Sequence, residues 1–249
     1  MKSRYMKSMW PAIGVVVFAL ALPPVVDAAE PVVEADAMPG AFSASVALTS
    51  EYFFRGISQS DDTPAVQGEI GYGYDFEPVT ASIGVWASNV RFTDADIEVD
   101  YTASLGGEVE GVSWGVGGIY YNYPGAAGSL NYDYWEVFGT LGYDFKIFSV
   151  EVGVNHSPDN FGASGDATYV ATGVTVPLGK YVDFGFAVGH QAIEKEDVFG
   201  VPDYFDFLVS LGINIAGVDF TTAYTDTDLS TSECDDACGQ VLFTVAHAS

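Results

Sequence analysis

Residues able to do acid–base or nucleophilic chemistry are few in this sequence. Histidine occurs three times, as His156, His190 and His247. A nucleophilic hydrolase needs a serine, a histidine and an orienting carboxylate within mutual reach. His156-Ser157-Pro158-Asp159 has the right residue types, but adjacency along a chain does not set that geometry, and there is no Gly-x-Ser-x-Gly elbow. The two cysteines stand close together in Glu233-Cys234-Asp235-Asp236-Ala237-Cys238. In an exported protein, Cys234 and Cys238 read as a disulfide stapling a loop. The alternative is zinc, for which two thiolates without a nearby histidine give half a ligand set. With no nucleotide loop, haem motif or complete metal-ligand set in the sequence, no catalytic site, metal or cofactor is expected.

Carboxylate is abundant: 34 acidic residues face 8 basic ones. Glu51, Glu69, Glu98, Asp100, Glu136, Glu151, Asp183 and Asp206 recur between apolar neighbours, with Arg55 as a cation among them. Carboxylates around an enclosed aqueous space concentrate cations and repel anions. The chemistry on offer is selection by charge rather than bond breaking. Arg55 follows Glu51 by four residues, a spacing that predicts either a salt bridge stiffening the wall or a contact to solute.

The elements that would hold these groups are strands. Phe42, Ala44, Val46 and Leu48 alternate with Ser43, Ser45 and Thr49, and Val66, Ile70, Tyr72, Tyr74 and Phe76 with Gln67, Glu69, Gly71, Gly73 and Asp75. Apolar residues at every second position mark strands with two differently solvated faces. Such runs start near residues 42, 66, 79, 97, 112, 132, 148, 167, 181, 204, 218 and 239, giving about twelve strands of the length that crosses a membrane when tilted. Very short joints, such as Glu77-Pro78, Lys146-Ile147, Gly179-Lys180 and Ala216-Gly217, alternate with long polar ones. That alternation is the pattern of periplasmic turns and extracellular loops. The fold class is therefore all-β: a transmembrane antiparallel up-and-down β-barrel. A mid-membrane charge on the lipid face costs about 2–4 kcal/mol for a basic residue and somewhat less for an acidic one, so the carboxylates belong inside. Bulky Phe53, Trp86, Tyr121 and Phe138 share that inner face and either close the lumen or line a narrow path. No loop is long enough to suggest a constriction loop, and the aromatic clusters at strand ends, among them Tyr52-Phe53-Phe54, are expected in the interface girdles.

The N-terminal stretch lies outside this pattern. Lys2, Arg4 and Lys7 precede an apolar run from Ile13 to Leu22, broken by Pro23-Pro24, and Val26-Asp27-Ala28 reads as a small-x-small cleavage site. The apolar run is about half of what spans a bilayer, so residues 1–28 are expected to be a cleaved signal peptide. Residues 29–40 are a flexible lead-in, and residues 41–249 are the barrel. Cleavage removes Lys2, Arg4, Lys7 and Asp27, leaving 5 basic and 33 acidic residues and a net charge of −28. Such acidity excludes nucleic acid as a partner. With 49% hydrophobic residues the chain is not a disordered acidic one either.

Ser50-Glu51-Tyr52-Phe53-Phe54-Arg55-Gly56-Ile57-Ser58-Gln59-Ser60 resembles the opening motif of the TorF-like porin family. Matches follow in order at Pro64-Ala65-Val66-Gln67-Gly68, Gly84-Val85-Trp86-Ala87-Ser88-Asn89-Val90 and Tyr120-Tyr121-Asn122-Tyr123-Pro124. The resemblance covers nearly all of the chain beyond residue 28. It implies an outer-membrane barrel with a transport role, Arg55, Gly56, Ser58 and Gln59 in a first outer loop, and Trp86, Ser88 and Asn89 near the next. Expected partners are outer-membrane lipid and lipopolysaccharide, the barrel-assembly machinery and small solutes. Such barrels usually end on an aromatic residue read by that machinery, whereas here the last alternating residues are Phe243 and Val245. The expected function is a porin passing small hydrophilic or cationic solutes through an acidic lumen. A closed-lumen structural or adhesive barrel is the alternative, and a membrane-embedded hydrolase is the third class.

Overall fold

The alternation is realised as a ring of strands. The structure is a computed structural model that describes residues 40–234 and 237–249. The expected signal peptide, and the lead-in except Gly40, lie outside the described residues. Among the described residues, β1 (Ala41–Thr49) is followed by a two-residue pair, β2 (Phe53–Phe54) and β3 (Ile57–Ser58). Then come β4 (Ala65–Asp75), β5 (Val79–Asn89), β6 (Ile97–Val109), β7 (Val112–Asn122) and β8 (Tyr134–Asp144). The ring continues with β9 (Ser149–Ser157), β10 (Ala167–Pro177), β11 (Val182–Ile193), β12 (Tyr204–Ile215), β13 (Val218–Thr227) and β14 (Gln240–Ala248). β1 and β4 through β14 form a closed barrel of twelve antiparallel strands, each paired with its sequence neighbours. β1 closes the ring by pairing with both β4 and β14.

The closing seam is the shortest ladder. β1 meets β14 only from Ser45 to Thr49, extended by reciprocal backbone bonds between Ala44 and Ser249, whereas it meets β4 along its whole length. The joints fall into the two expected classes, so one end of the barrel carries tight turns and both ends of the ring, and the other carries long loops.

The two faces of the wall differ as the alternation requires. Val46, Ile70 and Leu141, 54%, 65% and 59% exposed, are typical of the outward positions. So continuous an apolar surface, with no charge in its middle, is one that hydrocarbon solvates and water does not. Near the turns, Tyr74 packs edge-on against Phe76 and Tyr143 against Phe145, both at 4.6 Å. Inward positions in the turn-end half are small. Ser43 faces Gly71, Ser113 faces Gly142, and Thr140 faces Gly115, close enough that a Cβ on any of these glycines would touch the facing hydroxyl. In the loop-end half the inward side chains are large: Trp86, Tyr121, Tyr134, Phe138, Tyr169 and Tyr204. The barrel is thus lined by small groups at one end and filled at the other.

Candidate functional site

The filling is completed by a segment that is not part of the wall. Ser50 to Pro64 leave β1 and fold into the barrel, β2 and β3 forming a hairpin with Phe53 opposite Ser58 and Phe54 opposite Ile57. The sequence gives this segment the means to turn and to bury. Arg55 and Gly56 take left-handed φ values of 49° and 79° at the tip. A Cβ on Gly56 would sit 2.6 Å from Thr227 Cγ2 and 2.8 Å from Asp206 Cβ, so only glycine seats here. Phe53 packs with Leu208, Ala223 and Leu242 of three adjacent strands, and Ile57 lies against the cluster of Ile193, Val201 and Tyr204. Tyr52 stands edge-on to Trp86 at 5.4 Å. Ser60 accepts from the Tyr52 backbone N–H at 2.9 Å, and the Ser58 N–H reaches the Ala237 carbonyl at 2.9 Å.

Arg55 is the centre of this arrangement. Its guanidinium donates to Glu136 twice, Nη1 to Oε1 at 2.9 Å and Nη2 to Oε2 at 2.7 Å, and Nη1 also donates to Gln191 Oε1 at 2.8 Å. Tyr121 Oη at 3.1 Å and Asn155 Nδ2 at 3.0 Å donate to the same Glu136 carboxylate. The guanidinium carbon lies 4.6 Å from the centre of the Phe54 ring and 4.4 Å from that of Tyr169, whose hydroxyl donates to Asp206 at 3.1 Å. Arg55 and Glu136 are 2% and 1% exposed, so this is a desolvated, bidentate, ring-flanked ion pair. Such pairs are strongly directional, and losing one partner leaves a buried charge.

This geometry corrects three expectations. Arg55 does not pair with Glu51: it sits in a left-handed turn, where strand alternation places nothing, and its partner is on the opposite wall. Glu51 instead accepts from the Ser58 hydroxyl and, at 3.1 Å, from the Asp62 backbone N–H, bracing the base of the hairpin. Tyr52 is not a girdle residue, because it is buried inside, and Phe53 is buried inside as its inner-face position predicts. A loop does enter the lumen, and its aromatic run is what makes entry favourable.

The remaining expected site residues divide by level. Glu98, Asp100 and Asp206 are buried at the loop end. Oε2 of Glu98, Oδ1 of Asp100, Oδ2 of Asp206 and Nε of Arg55 make no hydrogen bond among the described residues. Glu69, Glu151 and Asp183 also face inward but lie in the more open part, away from Arg55. Ser88 is buried and donates to the Asn89 carbonyl, while Asn89 accepts from the Val66 N–H at 2.7 Å and so fixes the start of β4. Gln59 bonds back to the Ile57 and Ser58 carbonyls, Tyr123 is buried in the aromatic cluster, and Pro124 is exposed. Above them Tyr132 and Phe161 stack at 4.5 Å, with Phe92 against Tyr123 at 5.5 Å, as an aromatic lid. Cys234 and Cys238, expected to form a disulfide, are not bonded to each other in the structure. The Thr227 hydroxyl donates to Cys238 Sγ at 3.1 Å, and burial, with a hydrogen bond to Cys234, pushes the Cys238 thiol up to about 12. His156, His190 and His247 all take outward positions; His156 Nδ1 lies 3.0 Å from Thr168 Oγ1, and His190 packs on Phe205. Gln191, Asn155, Tyr169 and Phe54 were missed in the sequence. The inward parity of Gln191, Asn155 and Tyr169 was readable, but that of Phe54 was not, nor was their gathering around the Arg55–Glu136 pair.

A closed twelve-strand antiparallel barrel with an apolar outer face and a loop packed in its lumen is a barrel of the outer-membrane porin type. The chain belongs to a family of bacterial proteins of unknown function, Gcw_chp, whose model matches residues 34–246. Among solved structures it is similar to the NanC porin, with a TM-score of 0.52 and 9% identity over 84% of this chain and 98% of that one. It is similar to a chain from a study of the in-meso crystallization of membrane proteins, with a TM-score of 0.54 and 10% identity over 84% of this chain and 83% of that one. An outer membrane channel from Pseudomonas putida F1 follows at 0.49 and 12% identity, over 89% and 99%. At these identities the likeness is one of fold. No curated protein matches the chain.

Proposed function

We propose that this protein is an outer-membrane channel for small cationic or hydrophilic solutes, held shut by its first loop. The observation that carries the reading is the division of the lumen. The turn-end half is lined by small polar groups with Glu151 and Asp183, Glu69 stands level with Trp86 at the middle, and the loop-end half is stoppered by a hairpin held by an ion pair and apolar packing. Twelve strands enclose more room than eight, whose lumen wall side chains alone just fill, and here the hairpin takes up the space at the loop end. In this reading the turns face the periplasm, which the chain reaches through its signal peptide, and the loops face lipopolysaccharide. The barrel-assembly machinery inserts it. The resemblance of the 50–60 segment to the TorF-like porins supports the same role, with that motif forming the stopper. Inward carboxylates favour cations by focusing the field.

Planar-bilayer recording tests this. Wild-type protein should conduct rarely. A variant with residues 52–60 replaced by a short Gly/Ser linker should conduct continuously and select cations in a salt gradient. Silence of the linker variant, with the barrel shown folded, refutes the channel and leaves the closed-lumen scaffold.

A further inference from the structure

The surroundings of Arg55 have the composition of a site for a ligand. A planar cation is gripped edge-on by a carboxylate in a two-pronged contact, capped by an amide oxygen, and flanked by aromatic rings. This combination suits a guanidinium and does not suit an ammonium, which lacks both the fork and the flat face. Most of the cradle belongs to the fixed wall: Glu136 on β8, Gln191 on β11 and Tyr169 on β10. The Glu136 carboxylate also accepts from Tyr121 and Asn155, two further residues of the wall. The cradle also has unused capacity, because the buried Asp206 Oδ2 has no hydrogen-bond partner among the described residues.

We propose that Glu136, Gln191 and Tyr169 form a guanidinium-recognition site which Arg55 occupies as a tethered pseudo-ligand, and that a free solute carrying a guanidinium group competes with it. Displacement of Arg55 frees the tip of the hairpin, so the solute class that fits the site is also the class that releases the stopper. The gating consequence rests on the channel reading above; the recognition itself does not. A tethered group competes at an effective concentration in about the millimolar range, so the solute acts on wild-type protein only at about that level or above. Without the tether it binds more tightly.

The test uses the full-length protein carrying Arg55→Ala, with methylguanidinium and methylammonium chloride as probes at equal ionic strength. Thermal unfolding in detergent and bilayer conductance are both read. Methylguanidinium should raise the unfolding temperature and reduce conductance at about one-tenth the concentration that methylammonium needs. Arg55→Ala combined with Glu136→Gln should abolish the preference. Equal responses to the two cations, or a preference that survives Glu136→Gln, overturn the proposal. A conducting Arg55→Ala channel without guanidinium preference sinks recognition alone. A silent channel whose stability still responds selectively sinks the channel reading alone. If Arg55→Ala does not fold, a Cys234→Ser, Cys238→Ser background carrying Ile57→Cys serves instead. Maleimide labelling of the hairpin should then rise with methylguanidinium and not with methylammonium, and identical labelling overturns the proposal.

Discussion

Glu136→Gln leaves the volume of the wall unchanged and removes the anion that holds the stopper. In the native arrangement this carboxylate accepts two bonds from Arg55, one from Tyr121 and one from Asn155, all between 2.7 and 3.1 Å. The glutamine retains one acceptor oxygen, but Arg55 becomes a buried cation facing a neutral amide. Breaking a buried pair by removing one partner costs about 3–5 kcal/mol. The hairpin's seated-to-unseated ratio should therefore fall by roughly 10²- to 10⁴-fold. Maleimide labelling at Ile57→Cys, in the cysteine-free background, measures that ratio, and single-channel recording reads its effect. The converse variant sharpens the test. Arg55→Met with Glu136→Met removes both charges, leaves neither unpaired, and should label more slowly than Glu136→Gln alone. Labelling at the wild-type rate in Glu136→Gln would refute the idea that the ion pair fastens the hairpin. Additive damage in the double variant would refute the burial argument behind the magnitude.

Other outcomes follow from the same geometry. Phe53→Ala empties the contact with Leu208, Ala223 and Leu242 and should cost the seated hairpin about 3–5 kcal/mol, read as faster Ile57→Cys labelling with the barrel still folded on a gel-mobility assay. Gly56→Val places a branched side chain at φ +79° against Thr227 and Asp206. It should unseat the tip by at least about 1–3 kcal/mol in the same assay. Replacing Glu69, Glu151 and Asp183 together by glutamine should move the reversal potential of the linker-opened channel toward zero in a salt gradient, without changing hairpin labelling.

The wall was legible because its signal is local. Alternation along β4 distinguishes Val66 and Ile70 from Gln67 and Glu69 within a few residues, and turn residues such as Ala216-Gly217 mark where each ladder reverses. The inward placement of Glu98, Asp100, Glu136 and Asp206 follows from the same parity. The stopper was illegible for the opposite reason. Tyr52-Phe53-Phe54 is an aromatic run at a strand end whether it meets lipid or folds inward, and what decides is the fit to residues of β12, β13 and β14 far along the chain. Arg55 illustrates the point most sharply. Its local neighbour Glu51 stands four residues away, while the carboxylate it binds is 81 residues distant in sequence.

The short ladder between β1 and β14 gives the stopper a mechanical role. Ser50, the first residue beyond β1, donates its backbone N–H to the Phe243 carbonyl, and the hairpin starts directly after it. Any pull that draws the hairpin out of the lumen therefore acts as a load on the barrel's shortest seam, at its upper edge. Unstoppering the pore and prying open the cylinder share a point of application. The Arg55 latch guards the seam as well as the pore.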